Sequence, residues 1–146
     1  MRTNLRRNER GSALIEASIT IPIILLISVG IFEFGRAYQT QQILVNASRE
    51  GARLAVIEGT TDTEVKTRVN NYLKNGGLKE VTSAAQGDIL ISRTNDLTPS
   101  STASSVEIKY RFEFMVLNPI VRLVVKGDTT TGAPITMKAV TLMRNE

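Results

Sequence analysis

The chain has 146 residues and a formal net charge of +4, from 18 Lys and Arg against 14 Asp and Glu. This length allows one domain of ordinary size and leaves no room for a large multidomain enzyme. Cys and His are both absent, which excludes a disulfide framework, a Cys or His nucleophile, a His general base and a Cys/His zinc site. Aromatic residues make up 5% and there is no Trp. This aromatic content is low for a protein that binds nucleic acid by stacking.

The positive charge is concentrated at the N-terminus. Residues 1–11 hold four arginines and one glutamate, whereas the rest of the chain carries 14 basic and 13 acidic side chains. A nucleic-acid-binding domain would carry its excess charge on a folded face, but here the excess precedes an apolar segment. We therefore expect no nucleic-acid partner. The arginines of this leader are Arg2, Arg6, Arg7 and Arg10.

Residues 12–32 form that apolar segment, in which Glu16 is the single charge. A helix of this length spans about 30 Å, the thickness of the hydrocarbon core of a bilayer. A buried core helix is the less favoured alternative, because a chain this short has no partner helices to cover such a segment on all sides. The segment therefore predicts a transmembrane helix. Pro22 lies inside it and predicts a kink or a loosened turn.

A secretory signal peptide is another interpretation of this N-terminus, because it too has a basic start and an apolar run. The run here is longer than usual, contains Glu16, and is followed by residues 33–38, EFGRAY, which do not form a small-residue cleavage site. A signal anchor is the better interpretation. Since the arginines precede the span, the positive-inside rule places the N-terminus in the cytoplasm and residues from about 33 onward outside.

Residues 10–16, RGSALIE, resemble a prepilin processing site. In that family a dedicated membrane peptidase cuts after a Gly that follows a basic leader, and a Glu is the fifth residue of the mature chain. The resemblance implies cleavage between Gly11 and Ser12, which makes Glu16 the fifth mature residue. Ser12 departs from the Phe that is common at the first position of major type IV pilins.

Two further motifs follow along the chain, residues 30–37, GIFEFGRA, and 46–53, NASREGAR, and the chain ends in TLMRNE. These segments are similar to TadE-like pseudopilins, the minor pilins of tight-adherence (Flp-type) type IV pilus systems. The specific motifs span about residues 10–58. The motif residues beyond the span are Glu33, Phe34, Gly35, Arg36, Arg49, Glu50, Gly51 and Arg53.

The resemblance implies a minor pilin or pseudopilin that is processed by a prepilin peptidase and is needed for pilus assembly or surface adherence. Its partners would be the peptidase, other pilins or pseudopilins, the assembly platform and the membrane, without a cofactor or a small-molecule substrate. It would be a single-pass protein of the inner membrane that can be incorporated into a pilus. The alternative is a permanently anchored bitopic membrane protein that keeps its leader and binds a partner through its exported domain.

Glu16 requires an explanation, because a carboxylate inside a membrane span costs a few kcal/mol unless it is paired or reaches the headgroups. One interpretation is that Glu16 is solvated near the headgroups. The other follows from the resemblance: cleavage creates an α-amino group on Ser12, positive at neutral pH. The Glu16 carboxylate of one subunit would then pair with the amine of a neighbour and set the axial register of the assembly.

The first helix is expected to continue beyond the membrane, because residues 34–57 contain no Pro. Gly35 or Gly51 could instead break it. One face of the continuous helix is defined by three- and four-residue steps. Its members are Phe34, Ala37, Gln41, Leu44, Ala47, Ser48, Gly51 and Ala52.

A second helix is predicted by a capping box of Thr61 and Glu64 and by a Gly76-Gly77 stop. Its apolar positions are Val65, Val69 and Leu73.

The remaining sequence predicts a short strand at 89–91, a mobile loop at 97–105, an amphipathic strand at 106–114 and a last strand at 135–143. Residues 116–126 predict a connection or a short helix, and 127–132 a turn. The expected fold is pilin-like α+β. A long helix with a transmembrane and an exported half packs with a short helix on a small antiparallel sheet. The expected divisions are a cleaved leader 1–11, a transmembrane helix 12–33 and an exported domain 34–146.

We find no catalytic constellation in the sequence. A phosphate-binding loop and a G-x-S-x-G motif are both absent. Four aspartates lie in separate turns without the spacing of a metal loop, and we expect them to be turn or cap residues. The chain is therefore predicted not to be an enzyme and to bind no metal. These aspartates are Asp62, Asp88, Asp96 and Asp128.

Overall fold

The computed structural model describes residues 6–98, 101–116, 118–119 and 134–144. Two helices and three strands follow one another along the chain, and the strands form an antiparallel sheet in the order β1-β2-β3. This is the predicted α+β layout. The elements are α1 (Arg6–Ala55), α2 (Asp62–Asn75), β1 (Gly87–Thr98), β2 (Ser101–Phe112) and β3 (Ile135–Arg144).

Helix α1 is continuous through Pro22, Gly35 and Gly51, so the alternative that a glycine ends it is wrong. Pro22 has no N–H and leaves the carbonyl four residues earlier without its helical donor. The kink at Pro22 stays a prediction. Within the apolar half, the Ser28 hydroxyl donates to the Ile24 carbonyl at 2.8 Å. This bond satisfies the hydroxyl within the helix, which matters because lipid tails offer no hydrogen-bond acceptor.

The two halves of α1 differ in burial. Leu14 is 72% exposed, and the other large apolar side chains of the N-terminal half are exposed as well, whereas Leu44 in the C-terminal half is fully buried. By length and composition α1 is the one helix in the described part of the chain that could cross a membrane. One uninterrupted helix therefore serves as an anchor in its first half and as a core element in its second.

The buried face of the second half is largely the predicted one. Ala47, Ser48 and Ala52 are fully buried against α2 and the sheet. Phe34 is an exception, because it is 67% exposed while its neighbour Glu33 is fully buried. Helical steps of four and three residues back from the buried Thr40 reach residue 33, so Glu33 occupies the inward position that had been predicted for Phe34.

Helix α2 begins and ends as predicted. Thr61 and Glu64 form a reciprocal capping box, and the apolar positions of the helix are buried. The C-cap residue Gly76 is right-handed, and Gly77 has a φ of 82°, a left-handed conformation that favours glycine. The Leu78 amide then donates to the Leu73 carbonyl at 2.9 Å, which closes the helix C-terminus.

Thr61→Ala is expected to lower the free energy of unfolding by about 1 kcal/mol, because the hydroxyl caps the first turn of α2. The Thr61 backbone N–H donates to the Glu64 carboxylate at 2.8 Å, and this bond, followed by the one from the Thr61 hydroxyl, lowers the pKa of Glu64 below 4.5. The contribution of Glu64 to the free energy of unfolding is therefore fully present above about pH 4.5. It is lost as the pH falls through the lower pKa that Glu64 has in the folded state.

Thermal unfolding of the full chain in detergent, followed by circular dichroism between about pH 5 and about pH 3, measures both effects. Glu64→Gln should lose less stability over this range than the wild type. Thr63→Ala is the matched control, since Thr63 is exposed and its side chain caps nothing. Equal losses for Thr61→Ala and Thr63→Ala would show that the capping box contributes nothing.

The prediction of a mobile loop over residues 97–105 is wrong for all but residues 99–100, which lie outside the described residues. Strand β1 extends to Thr98, β2 begins at Ser101, and these two residues pair with each other. Residues 103–105 pair with both β1 and β3, and the Ser104 hydroxyl donates to the Ala55 carbonyl at 3.3 Å. The Ser- and Thr-rich composition favoured a loop, but the sheet overrides this local preference.

The alternating pattern of 106–114 is confirmed through Phe112, where β2 ends; Phe114 lies just beyond the strand. Strand β3 confirms the predicted last strand and extends it to Arg144. The segments predicted as a connection at 116–126 and as a turn at 127–132 lie almost entirely outside the described residues.

The outer face of the sheet is exposed, as its alternation predicts. At its centre the Glu107 carboxylate lies 3.0 Å from Lys138 Nζ and 3.4 Å from Lys109 Nζ. The hydrogen bond from Lys138, with that from Lys109, lowers the pKa of Glu107. Three apolar side chains share this face and are about half exposed: Leu90, Val140 and Leu142.

Candidate functional site

The predicted cleavage site lies in the N-terminal part of α1. Gly11, Ser12 and Glu16 are exposed, and no atom lies near the position that a Cβ on Gly11 would take. In the part of the chain that the structure describes, no hydrogen bond or ion pair reaches the Glu16 carboxylate.

Glu33 is the most deeply buried charged residue described. Its Oε1 accepts a hydrogen bond from the Val116 backbone N–H at 2.6 Å, and its Oε2 accepts one from Arg36 Nη2 at 3.1 Å. Val116 follows the end of β2, whereas Glu33 and Arg36 are one turn apart on α1. The carboxylate therefore joins two segments that are 83 residues apart in sequence.

Arg36 completes this connection. Its Nη2 also donates to the Glu113 backbone carbonyl at 2.5 Å, and its guanidinium carbon lies 4.7 Å from the centroid of the Phe112 ring. The stacking is a cation–π contact. Within the described residues the buried Nε of Arg36 has no hydrogen-bond partner. Arg36 thus holds three groups at once, and its position is set by Glu33.

Aromatic rings extend the contact. Phe112 and Phe114 meet edge to face with centroids 5.2 Å apart, and Phe34 meets Phe114 at 6.5 Å, within the range for favourable aromatic pairs. We call this group the junction cluster. It fixes the end of β2 to the point of α1 where the apolar half ends. Its members are Glu33, Phe34, Arg36, Phe112, Phe114 and Val116.

The second motif, residues 49–53, serves a different contact. The Glu50 carboxylate pairs with Arg68 of α2, with 2.6 Å to Nη2 and 3.1 Å to Nε. Gly51 is buried where α1 crosses α2 and β2, and a Cβ there would lie 2.6 Å from Val69 Cγ2. Arg49 and Arg53 are exposed. The structure therefore keeps the two motifs apart, one at each end of the second half of α1.

Sequence reasoning missed the partners of Glu33, which are the Val116 N–H and Arg36. It also missed those of Arg36, which are the Phe112 ring and the Glu113 carbonyl. The one signal that could have placed Glu33 inside is its helical spacing from Ala37 and Thr40. It also missed the contact of the buried Ser48 hydroxyl with the Thr141 hydroxyl at 2.7 Å, which joins α1 to β3. Gly35, the remaining member of the first motif, has open space around its Cα.

These arrangements can hold elements together but show no catalytic chemistry. Among the described residues there is no group of three or more acidic side chains placed to bind a metal ion. Two open grooves of about 640 Å³ and about 860 Å³ flank the start of β1 and the end of β2. Basic side chains line both, and neither contains the first motif's carboxylate, Glu33.

Residues 11–53 match a family model described as TadE-like protein. The matched segment contains Ser12, Glu16 and both motifs of α1, so the resemblance drawn from the sequence is confirmed over this segment. Neither the comparison with curated proteins nor that with solved structures found a match. The chain is thus similar to a TadE-like protein over this segment, and α1 is long and apolar enough to anchor it in a membrane.

Proposed function

We propose that this chain is a minor pilin or pseudopilin of a Flp-type pilus, cut by a prepilin peptidase between Gly11 and Ser12. The observation that carries the proposal is the TadE-like match over residues 11–53, on a helix that presents an apolar N-terminal half and a packed C-terminal half. The proposed mature chain begins at Ser12, crosses the membrane over 12–33 and exports 34–146. Its partners are the peptidase, other pilins and the assembly platform.

The exposed apolar half of α1 supports this proposal because its surface suits two environments. Ile19 and Ile27 are 61% and 58% exposed on α1, as side chains that face lipid would be. The same surface can pack against other helices once subunits leave the membrane. Moving the helix from lipid into a helix bundle exchanges one apolar environment for another. The transfer of its apolar surface therefore costs little free energy, and the anchor does not oppose assembly.

Glu16 is proposed to pair with the Ser12 amine of a neighbouring subunit. Burying either charge alone is unfavourable by several kcal/mol, and the attraction between the two charges offsets much of this cost. Before cleavage there is no amine at Ser12, so the pair can form only between processed subunits. Glu16 would in this way set the register of assembly and also exclude unprocessed chains.

The proposal is tested by the N-terminal mass of the protein from host membranes, with and without the prepilin peptidase. We expect a chain that begins at Ser12 and that disappears when the peptidase is absent. In the same strains, Glu16→Ala should be cut normally but should not enter pili, because the amine has lost its partner. Ser18→Ala is the matched control, since Ser18 is exposed on α1 and its hydroxyl bonds only to the Ile15 carbonyl.

An uncut N-terminus in both strains would favour the permanently anchored bitopic protein, in which the leader serves only as a topology signal. Normal assembly of the Glu16→Ala chain would contradict the pairing role while leaving the cleavage intact. The two results are therefore separable.

A further inference from the structure

The level of the bilayer surface follows from the length of α1. Residues 12–33 extend about 33 Å as a helix, close to the thickness of the hydrocarbon core. When this segment spans the membrane, Phe34 lies at the headgroup level. Because the Phe34 and Phe114 rings are 6.5 Å apart, the chain just after β2 lies at the same level.

An apolar edge faces that level, which we call the lip and define as Phe34, Phe114 and Met115. Phe34 and Met115 are each 67% exposed, and Phe114 joins them through its ring contact with Phe34. Exposed apolar groups next to a bilayer gain free energy by entering the boundary between headgroups and acyl chains. The junction cluster holds the lip in place, since Glu33 binds the Val116 amide directly after Met115.

Basic side chains lie beside the lip, and we call them the basic rim: Arg36, Lys79 and Arg111. They line the same open groove of about 860 Å³ as Phe114 and Met115, and one exposed carboxylate, Glu113, shares it. Lys79 lies in the loop after α2, and Arg111 lies near the end of β2. The two segments are close because the Arg111 amide donates to the Gln86 carbonyl of that loop.

We propose that the exported domain docks on the bilayer that its own helix crosses, with the lip in the headgroup boundary and the basic rim on anionic phospholipid phosphates. Lys79 and Arg111 are the exposed contacts, while Arg36 is partly engaged by Glu33. With Arg36 paired to Glu33, Lys79 and Arg111 still outnumber the one exposed carboxylate, Glu113, and this excess of positive charge favours an anionic surface. The bilayer is the occupant because α1 is continuous from the span to the lip.

This inference requires only that α1 spans a membrane, and it holds with or without cleavage at Gly11. It adds a step to assembly, because a subunit leaving the membrane must release the lip and the basic rim together with the anchor. It also fixes the orientation of the sheet, with the end of β2 toward the bilayer.

The test uses the full chain in lipid vesicles. Because the protein has no Cys, Met115→Cys and Ile57→Cys each provide a single site for an environment-sensitive fluorophore. Ile57 is the matched control: it is 57% exposed and apolar, but it lies beyond the end of α1, about 30 Å farther from the span. Quenching by lipids with a spin label near the headgroup reports contact with the bilayer.

We expect the label at position 115 to be quenched at least about threefold more strongly than at 57, because only the lip lies within the interfacial layer. The difference should be larger in vesicles that contain phosphatidylglycerol than in phosphatidylcholine alone. Reversing charge with K79E and R111E should remove this lipid preference. The control pair R49E and R53E, with the same change in net charge, should leave it intact.

Equal quenching at positions 115 and 57 would overturn the docking. If quenching at 115 is strong but does not change with lipid charge or with the K79E/R111E pair, the role of the basic rim is overturned. Protection of the label that appears only at a high protein-to-lipid ratio would identify a second copy of the chain as the occupant and would also overturn the proposal. Circular dichroism of each variant verifies that it is folded.

Discussion

Replacing Gly51 with Val is expected to lower the free energy of unfolding by about 3 kcal/mol, because this crossing has no room for a side chain. A Cβ at Gly51 would lie 2.6 Å from Val69 Cγ2 and 3.3 Å from Val106 Cγ1. Both neighbours are β-branched, so neither can turn aside without leaving its preferred rotamer. Denaturant or thermal unfolding of the full chain in detergent measures the loss.

Gly35→Ala is the matched control, because Gly35 lies in the same helix with nothing within 4 Å of the added methyl group. This change should raise stability by up to about 1 kcal/mol through helix propensity. Gly51→Ala should instead be destabilising, since the close contact with Val69 outweighs the propensity gain. Equal effects of the two alanine variants would show that α1 does not approach α2 as closely as described.

A double variant sharpens this test. Val69→Ala removes the Cγ2 atom that the new Cβ would strike, so Gly51→Ala should be less destabilising in the Val69→Ala background than in the wild type. The coupling energy is expected to be about 1 kcal/mol, as for other residues in direct contact. If the stability losses of Gly51→Ala and Val69→Ala were additive, the loss from Gly51→Ala would not come from a clash with Val69.

Glu33→Ala is expected to lower the free energy of local opening at the end of β2 by about 2 to 3 kcal/mol. The change leaves the Val116 N–H without its acceptor and removes the carboxylate that pairs with Arg36. The loss should be local, at the junction cluster, since α2 and the sheet keep their own core. Hydrogen exchange of the Val116 amide in the detergent-solubilised chain measures it. Exchange should accelerate by a factor of about 30 to 140, since 1.4 kcal/mol corresponds to tenfold.

Glu113→Ala is the matched control. Its carboxylate is exposed, and its backbone carbonyl, which accepts from Arg36, is kept in the variant. Glu33→Gln should give an intermediate rate, because the amide oxygen can still accept from Val116 while the charge that pairs with Arg36 is lost. If Glu33→Ala and Glu113→Ala exchanged at the same rate, the carboxylate of Glu33 would not be holding the junction.

These two predictions give the two motifs of α1 separate structural explanations. Gly51 allows the second half of α1 to lie close to α2 and β2, and Glu50 adds an ion pair with Arg68 at the edge of the same contact. Glu33 and Arg36 attach the end of β2 to α1 at the point where its apolar half ends.

The sequence alone determined the elements whose causes are local. The apolar run of residues 12–32 defines a span by its length, because every side chain there is apolar but Glu16 and a few small polar residues. The capping box of Thr61 and Glu64 and the stop at Gly76 and Gly77 act within one turn of helix, so they could be recognised from spacing alone. The pattern of β2 was equally visible, because alternation has a period of two residues.

Only the tertiary structure decided the features that depend on distant residues. Residues 97–98 and 101–105 are in strands although their composition is typical of a loop. Thr98 of β1 pairs with Ser101 of β2, and residues 103–105 of β2 pair with both β1 and β3. Glu33 rather than Phe34 is buried because Val116, 83 residues away, provides its donor. Side-chain polarity is a local property, but the partner that makes burial of a charge favourable is not, and no pattern around Glu33 specifies it.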